Sequence, residues 1–202
     1  MASATIILAI LLPLLLVPLL LPTLVRMAKR KHIVDVPNAR KKQREPVSLM
    51  GGMLVVGVMA VSLCTASLYV PLNDLFPAMC MVVFLMMIGL VDDSIDLGYG
   101  SKLIIQICVA TLLCFAGSYR INSLWTVFGI EDLPLWASYA LSVFVGVSLM
   151  NAINFLDGID GMSASYGMFV GIVMTLWCIH HGEFSHAIMA LILTSSMFAF
   201  WV

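Results

Sequence analysis

The chain has 202 residues, of which 62% are hydrophobic and 10% charged, and its net charge is -1. Soluble domains carry about 25% charged residues, so these figures exclude a water-soluble globular protein. They predict an all-α, polytopic transmembrane helical bundle with no nucleic-acid partner. The five cysteines, Cys64, Cys80, Cys108, Cys114 and Cys178, lie inside apolar runs without ligand spacing, which makes them small packing residues and not a disulfide framework.

About seven apolar stretches follow one another, near 5–25, 48–70, 75–91, 103–118, 134–152, 162–180 and 186–202. They read as helices of a single integral membrane domain, 1–202, because backbone polar groups in lipid must be satisfied within the segment and no barrel-like alternation is present. The first stretch has no basic residues before it and a cluster after it, which marks a retained span and not a cleaved signal. Pro13, Pro18 and Pro22 within it are expected to bend the helix without breaking it.

Eight of the ten Lys and Arg residues fall between Arg26 and Arg44. The positive-inside rule then places this first loop in the cytoplasm. By alternation the loops near 92–102 and 151–161 face the same way. The last run, Ala187 to Val202, ends on Trp201-Val202 with no polar residue after it. A free carboxylate at the bilayer edge is costly, so the chain reads as the N-terminal part of a longer protein.

The basic loop DVPNARKKQREPVSLMGG, 35–52, is stiffened by Pro37 and Pro46, and Gly51-Gly52 permits close backbone approach. It can serve as a topology anchor, and its arginines also suit a phosphate or diphosphate.

GLVDDSIDLGYGSK, 89–102, groups Asp92, Asp93 and Asp96 before Gly98 and Gly100, which are expected to end the helix. Clustered carboxylates at a membrane edge need a balancing charge. Mg²⁺ or Mn²⁺ suits them, being hard and commonly bridging substrate phosphates. Lys102 could snorkel to the interface or hold a phosphate.

NAINFLDGIDG, 151–161, sets Asn151, Asn154, Asp157 and Asp160 at three-residue intervals. Helix capping accounts for one such residue, not four. The carboxylates could ligate a metal or act as a base, and the carboxamides could orient a sugar, base or phosphate. HHGEFSH, 180–186, carries zinc-ligand residue types. It is predicted to face outward, away from the other acids, and reads as an interfacial polar turn.

Taken together, VDVPNARK…P…GG, GLVDD..D…K…Q (ending at Gln106) and N..N..DG.DG resemble the polyprenyl-phosphate N-acetylhexosamine-1-phosphate transferase family, glycosyltransferase family 4, in its N-acetylglucosamine branch. The resemblance implies transfer of a hexosamine 1-phosphate, GlcNAc-1-phosphate foremost, from a UDP-N-acetylhexosamine to undecaprenyl phosphate. UMP is released and a lipid-linked cell-surface glycan begun.

It implies catalytic roles for Asp92, Asp93, Asp157 and Asp160, and a metal, Mg²⁺ or Mn²⁺, on Asp92, Asp93 and Asp157. Substrate contacts fall to Asp35, Arg40, Lys41, Lys102, Asn151 and Asn154. The setting would be the bacterial inner membrane, with the active site facing the cytoplasm, in contact with membrane lipid and compatible with a homo-oligomer.

Two departures stand out. Gln43 occupies a position where the family usually has histidine. A downstream Gly-Asp segment and a His-rich cytoplasmic loop of the family are not in this chain. The alternatives are an aspartate-rich intramembrane prenyltransferase and an inactive, truncated membrane protein. A transporter fits less well, because the polar residues gather at one face and not at the midplane.

Overall fold

The computed structural model describes residues 2–30, 34–35, 47–48, 50–95, 98–116, 119–124, 131–156 and 161–201. Its helices are α1 (Ala2–Arg30), α2 (Met50–Ser67), α3 (Phe76–Ile95), α4 (Tyr99–Ala116), α5 (Leu135–Leu156), α6 (Met162–His180) and α7 (Phe184–Trp201). Among the described residues seven helices are long and apolar enough to cross a membrane, which makes this a multi-pass membrane protein. The described residues also include a 3-10 turn at Asn73–Leu75, a two-residue antiparallel ladder, β1 (Val34–Asp35) with β2 (Val47–Ser48), and an isolated antiparallel bridge between Ser123 and Asp132. The class is all-α, as expected. One local expectation changes: Gly100 lies in the first turn of α4 and does not end a helix. Of the cysteines, Cys114 and Cys178 are buried, while Cys64, Cys80 and Cys108 face outward.

The helices form two compact units, residues 1–75 with 157–202, and residues 76–156. In the first unit α7 packs on α6, α1 and α2, and α1 packs on α2. A buried cluster of Val17, Leu54, Val58 and Ala199 joins α1, α2 and α7.

Lipid tails are as apolar as leucine, so burial alone gives little reason for helices to associate in a membrane. Small residues that let backbones approach supply one. Gly167 and Gly171 lie one turn apart on α6, against Met197, Thr194 and Ala190 of α7. A Cβ at Gly171 would overlap Thr194 Oγ1 and lie 3.0 Å from the Ala190 carbonyl oxygen, and one at Gly167 would lie 3.0 Å from Met197 Cγ. Likewise Gly51, at the start of α2, leaves room for the Phe200 ring, which would stand 2.9 Å from a Cβ there.

α1 runs unbroken through Pro13, Pro18 and Pro22. Proline has no N–H, so Pro13 leaves the Ala9 carbonyl without its partner four residues on. Ser195 of α7 offers one: its hydroxyl lies 2.9 Å from the Ala9 oxygen, its single proton being shared with the Leu191 and Ile192 carbonyls of its own helix at 2.9 and 3.1 Å. Ala9 is fully buried, so water does not compensate there. The proline is thus accommodated by a tertiary contact, and the same contact ties α7 to α1.

In the second unit α4 packs on α5 and on α3. Gln106 faces Asn151, Ala110 faces Gly146, and Phe115 stacks on Tyr139, so α4 and α5 run antiparallel. At the Tyr139 end a polar clasp closes the unit. Ser138 donates to the Ile121 carbonyl at 2.6 Å, the Ile121 N–H donates to Ser142 Oγ at 2.8 Å, and Arg120 lies over the Tyr139 ring.

Two outcomes follow, both read by unfolding in mixed detergent–SDS micelles. Gly171→Ala is expected to destabilise by about 1–3 kcal/mol through overpacking, while Gly52→Ala, whose Cβ meets nothing within 4 Å, stays within about 0.5 kcal/mol. Ser195→Ala is expected to cost about 1 kcal/mol alone and near nothing in a Pro13→Ala background, where residue 13 regains its N–H.

Candidate functional site

Antiparallel packing brings the C-terminal end of α3, the N-terminal end of α4 and the C-terminal end of α5 to one end of the second unit. Of the polar residues singled out in two of the three motifs, Asp92, Lys102, Asn151 and Asn154 therefore share that end. Asp92 closes the apolar part of α3, and its Oδ2 lies 2.5 Å from Lys102 Nζ in the first turn of α4. The Asp92 side chain is 16% exposed and that of Lys102 is 38% exposed. A carboxylate so shielded needs a counter-charge, and Lys102 provides it while its long stem keeps the ammonium near water.

One turn further along α4, Gln106 is buried. Its Oε1 accepts a hydrogen bond from Asn151 Nδ2 at 2.8 Å, and the same nitrogen donates to the Val147 carbonyl at 2.9 Å. Both amide hydrogens of Asn151 are thereby committed. Oδ1 then carries its remaining capacity, as an acceptor. Lys102 and Gln106 are neighbours on α4 by their four-residue spacing, so α4 holds α3 through a charge pair and α5 through an amide pair. Gln106 was visible in the motif but was not assigned a role. Its partner is 45 residues away, a distance that local spacing does not encode.

Asn154 lies on the last turns of α5 and is exposed. Asp93 is placed by its backbone in α3, while its side chain lies outside the described residues. Asp96, Asp157, Asp160, Arg40 and Lys41 also lie outside the described residues. Asp35 pairs through its backbone with Val47 in the short ladder. Gly161, which follows Asp160, has φ +71 and opens α6. That left-handed backbone suits glycine, and a Cβ there would also stand 3.3 Å from Trp201 Nε1.

The described residues at this end of the second unit offer two kinds of oxygen donor, and Asp92 is already paired with Lys102. Asp92 offers carboxylate oxygens and Asn151 an amide oxygen, the ligand types Mg²⁺ and Mn²⁺ prefer. Among the described residues no three His, Cys, Asp or Glu side chains gather into a metal-holding group. That statement includes the histidine turn. His186 Nδ1 lies 3.4 Å from Glu183 Oε2 and 4.0 Å from Asp74 Oδ2, and His181 stacks on Trp177. Of these contacts the His186–Asp74 approach is the one that links the α6–α7 turn with the Asn73–Leu75 turn.

The chain is similar to several curated proteins. It is 32% identical over 155 residues to the undecaprenyl-phosphate alpha-N-acetylglucosaminyl 1-phosphate transferase of Escherichia coli (strain K12), a match covering 75% of this chain and 42% of that protein. It is 30% identical over 162 residues to the probable undecaprenyl-phosphate N-acetylglucosaminyl 1-phosphate transferase of Bacillus subtilis (strain 168), covering 79% of this chain and 44% of that protein. The chain thus spans less than half the length of these relatives.

A family model described as "Glycosyl transferase family 4" matches residues 75–202. The match takes in α3 to α7, and with them the Asp92–Lys102 and Gln106–Asn151 pairs. Over more than half its length, on the helices that carry this polar end, the chain belongs to glycosyl transferase family 4.

Proposed function

We propose that this chain is part of a transferase that moves N-acetylhexosamine 1-phosphate, GlcNAc-1-phosphate foremost, from a UDP-sugar to undecaprenyl phosphate. The observation that carries the reading is the polar end of α3, α4 and α5, where Asp92–Lys102 and Gln106–Asn151 lie side by side within the family match. The names of the relatives supply the acceptor and the sugar. Family membership favours sugar-phosphate transfer over aspartate-rich prenyl transfer, which the acidic clusters alone would also allow.

In the proposed reaction an oxygen of the lipid phosphate forms a bond to the β-phosphorus of the donor. The bond from that phosphorus to the oxygen bridging the α-phosphate breaks, and UMP leaves with that oxygen. The product is a lipid diphosphate carrying the sugar. Both reactants are anionic and the lipid's phosphate sits at headgroup depth. The site therefore belongs at helix ends on the cytoplasmic face of the inner membrane, where the basic first loop also lies by the positive-inside rule.

Mg²⁺ or Mn²⁺ held by Asp92, Asp93 and Asp157 would supply charge neutralisation of the diphosphate and of the departing UMP. The other roles belong to the chain's own groups. Asp93 and Asp92 activate the acceptor, with Lys102 free to trade its carboxylate partner for a substrate phosphate. Asn151, held by Gln106, presents Oδ1 to the donor, and Asn154 orients it from the next turn. Asp160 positions substrate, and Asp35, Arg40 and Lys41 hold the diphosphate from the first loop.

The test is transfer of labelled GlcNAc-1-phosphate from UDP-GlcNAc to undecaprenyl phosphate. It is run with the 202-residue chain and with a version carrying any native sequence beyond Val202. Transfer is expected with Mg²⁺, to stop with EDTA and to return with added metal. Asp93→Asn and Asp157→Asn are each expected to lose transfer on the order of 10²-fold or more, with unchanged helicity and elution. Normal turnover by either folded variant would overturn its assignment. Transfer of a prenyl group to an aromatic acceptor, with none of the sugar phosphate, would overturn the function.

A further inference from the structure

Two of the three motifs run into glycines of the first unit, and both glycines meet the same helix end. Gly51 belongs to the Gly-Gly pair that finishes the basic loop, and it stands in the first turn of α2. Gly161 finishes NAINFLDGIDG and opens α6. A Cβ at Gly51 would stand 2.9 Å from Phe200 Cζ, and one at Gly161 would stand 3.3 Å from Trp201 Nε1 and 3.6 Å from its Cδ1. Phe200 and Trp201 are consecutive at the end of α7, about 100° apart around the helix. One ring therefore lies against the start of α2 and the other against the start of α6.

A membrane anchor would not require this. Aromatic residues gather at headgroup level, but an anchor needs no glycine opposite it. Glycine in a helix costs about 1 kcal/mol relative to alanine, and at Gly51 the approaching ring gives that cost a reason. Its neighbour Gly52 faces open space. At Gly161 the φ of +71 already favours glycine, and the indole takes up the room that the absent side chain leaves.

Chain connectivity carries these contacts to the chemistry. Gly161 directly follows Asp160, and Gly51 lies at the end of the loop that bears Asp35, Arg40 and Lys41. In the proposed transfer Asp160 positions substrate and the first loop holds the donor's diphosphate. Groups that grip one molecule must keep a fixed separation, and a misplacement of about 1 Å can cost on the order of 10²-fold. We infer that Phe200 and Trp201 are positioning residues, a shared platform on which Gly51 and Gly161 rest and which sets the spacing of the first loop and the Asp160 segment for the sugar-nucleotide donor. The platform rests on the transfer reading for its purpose, while the order it imposes is measurable without turnover.

The test uses the chain with any native sequence beyond Val202 and two readouts, amide hydrogen exchange without substrate and transfer at varied UDP-GlcNAc. Trp201→Leu is expected to speed exchange on the order of tenfold in peptides spanning 157–166, and Phe200→Leu in peptides spanning 47–54, with helix content unchanged. Each is expected to raise the donor KM on the order of tenfold with kcat within about threefold of wild type. Trp201→Phe keeps a ring and is expected to raise KM by only about threefold; it decides the matter should the leucine variant fail to fold. A merely structural role would lower the yield of active protein and leave KM where it is. Phe198→Leu, exposed on the same helix, is expected to move neither readout. Unchanged exchange at both segments in folded variants would overturn the platform, whatever the transfer assay shows. Faster exchange with an unmoved KM would reduce the rings to packing and overturn the positioning role. Absence of transfer from the wild type would instead overturn the transfer reading, and with it the platform's purpose.

Discussion

A polar group in an apolar surrounding must find a partner, and in this chain the partners decide which helices meet. Lys102 balances Asp92, and Gln106 holds Asn151. Both pairs use neighbouring positions of α4, so this helix is the spine of its unit. Removing the partner of a shielded charge leaves that charge uncompensated, which is worse than never having placed it there. The arrangement thus gives the polar end a reason to be ordered before any substrate arrives. The same rule acts on the backbone. Pro13 strips the Ala9 carbonyl of its donor, and Ser195 answers from α7.

Close packing is the second constraint. With little hydrophobic gain between helices in lipid, contact depends on how near the backbones can come. Gly167 and Gly171 bring α6 onto α7, and Gly51 receives Phe200. Where a glycine is not met by a neighbour, as at Gly57, the result is a groove and not a contact. One residue type thus serves two ends, joining helices in one place and leaving a groove in another.

The helices were legible because apolar runs of this length have few other options. Their ends were less so. α1 continues past Val25 to Arg30, since Met27 and Ala28 are good helix formers and a cationic end suits the helix dipole. α5 ends at Leu156, beyond the apolar run near 134–152, and carries Asn151 and Asn154 on helix, as their three-residue spacing had them. Sequence spacing grouped Asp92 with Lys102 within one motif, and Asn151 with Asn154 within another. It was silent on the link between the motifs, because the Gln106–Asn151 bond is a property of how α4 and α5 pack. Gly167 and Gly171 carried no reading in the sequence, because a small-residue pair shows its use only against its partner on α7. The carboxylates Asp157 and Asp160 and the cations Arg40 and Lys41 rest on motif and resemblance, being outside the described residues.

The proposed transfer makes Asp92 and Lys102 chemical groups that happen to pair, and not a pair that merely holds α3 to α4. The most direct measurement compares stability and sugar-phosphate transfer in the Asp92→Asn/Lys102→Gln double variant, with any native sequence beyond Val202 included. Removing both charges leaves neither uncompensated, so the account predicts unfolding close to wild type together with transfer reduced on the order of 10²-fold or more. Transfer within tenfold of wild type would contradict it and reduce the pair to a helix clasp.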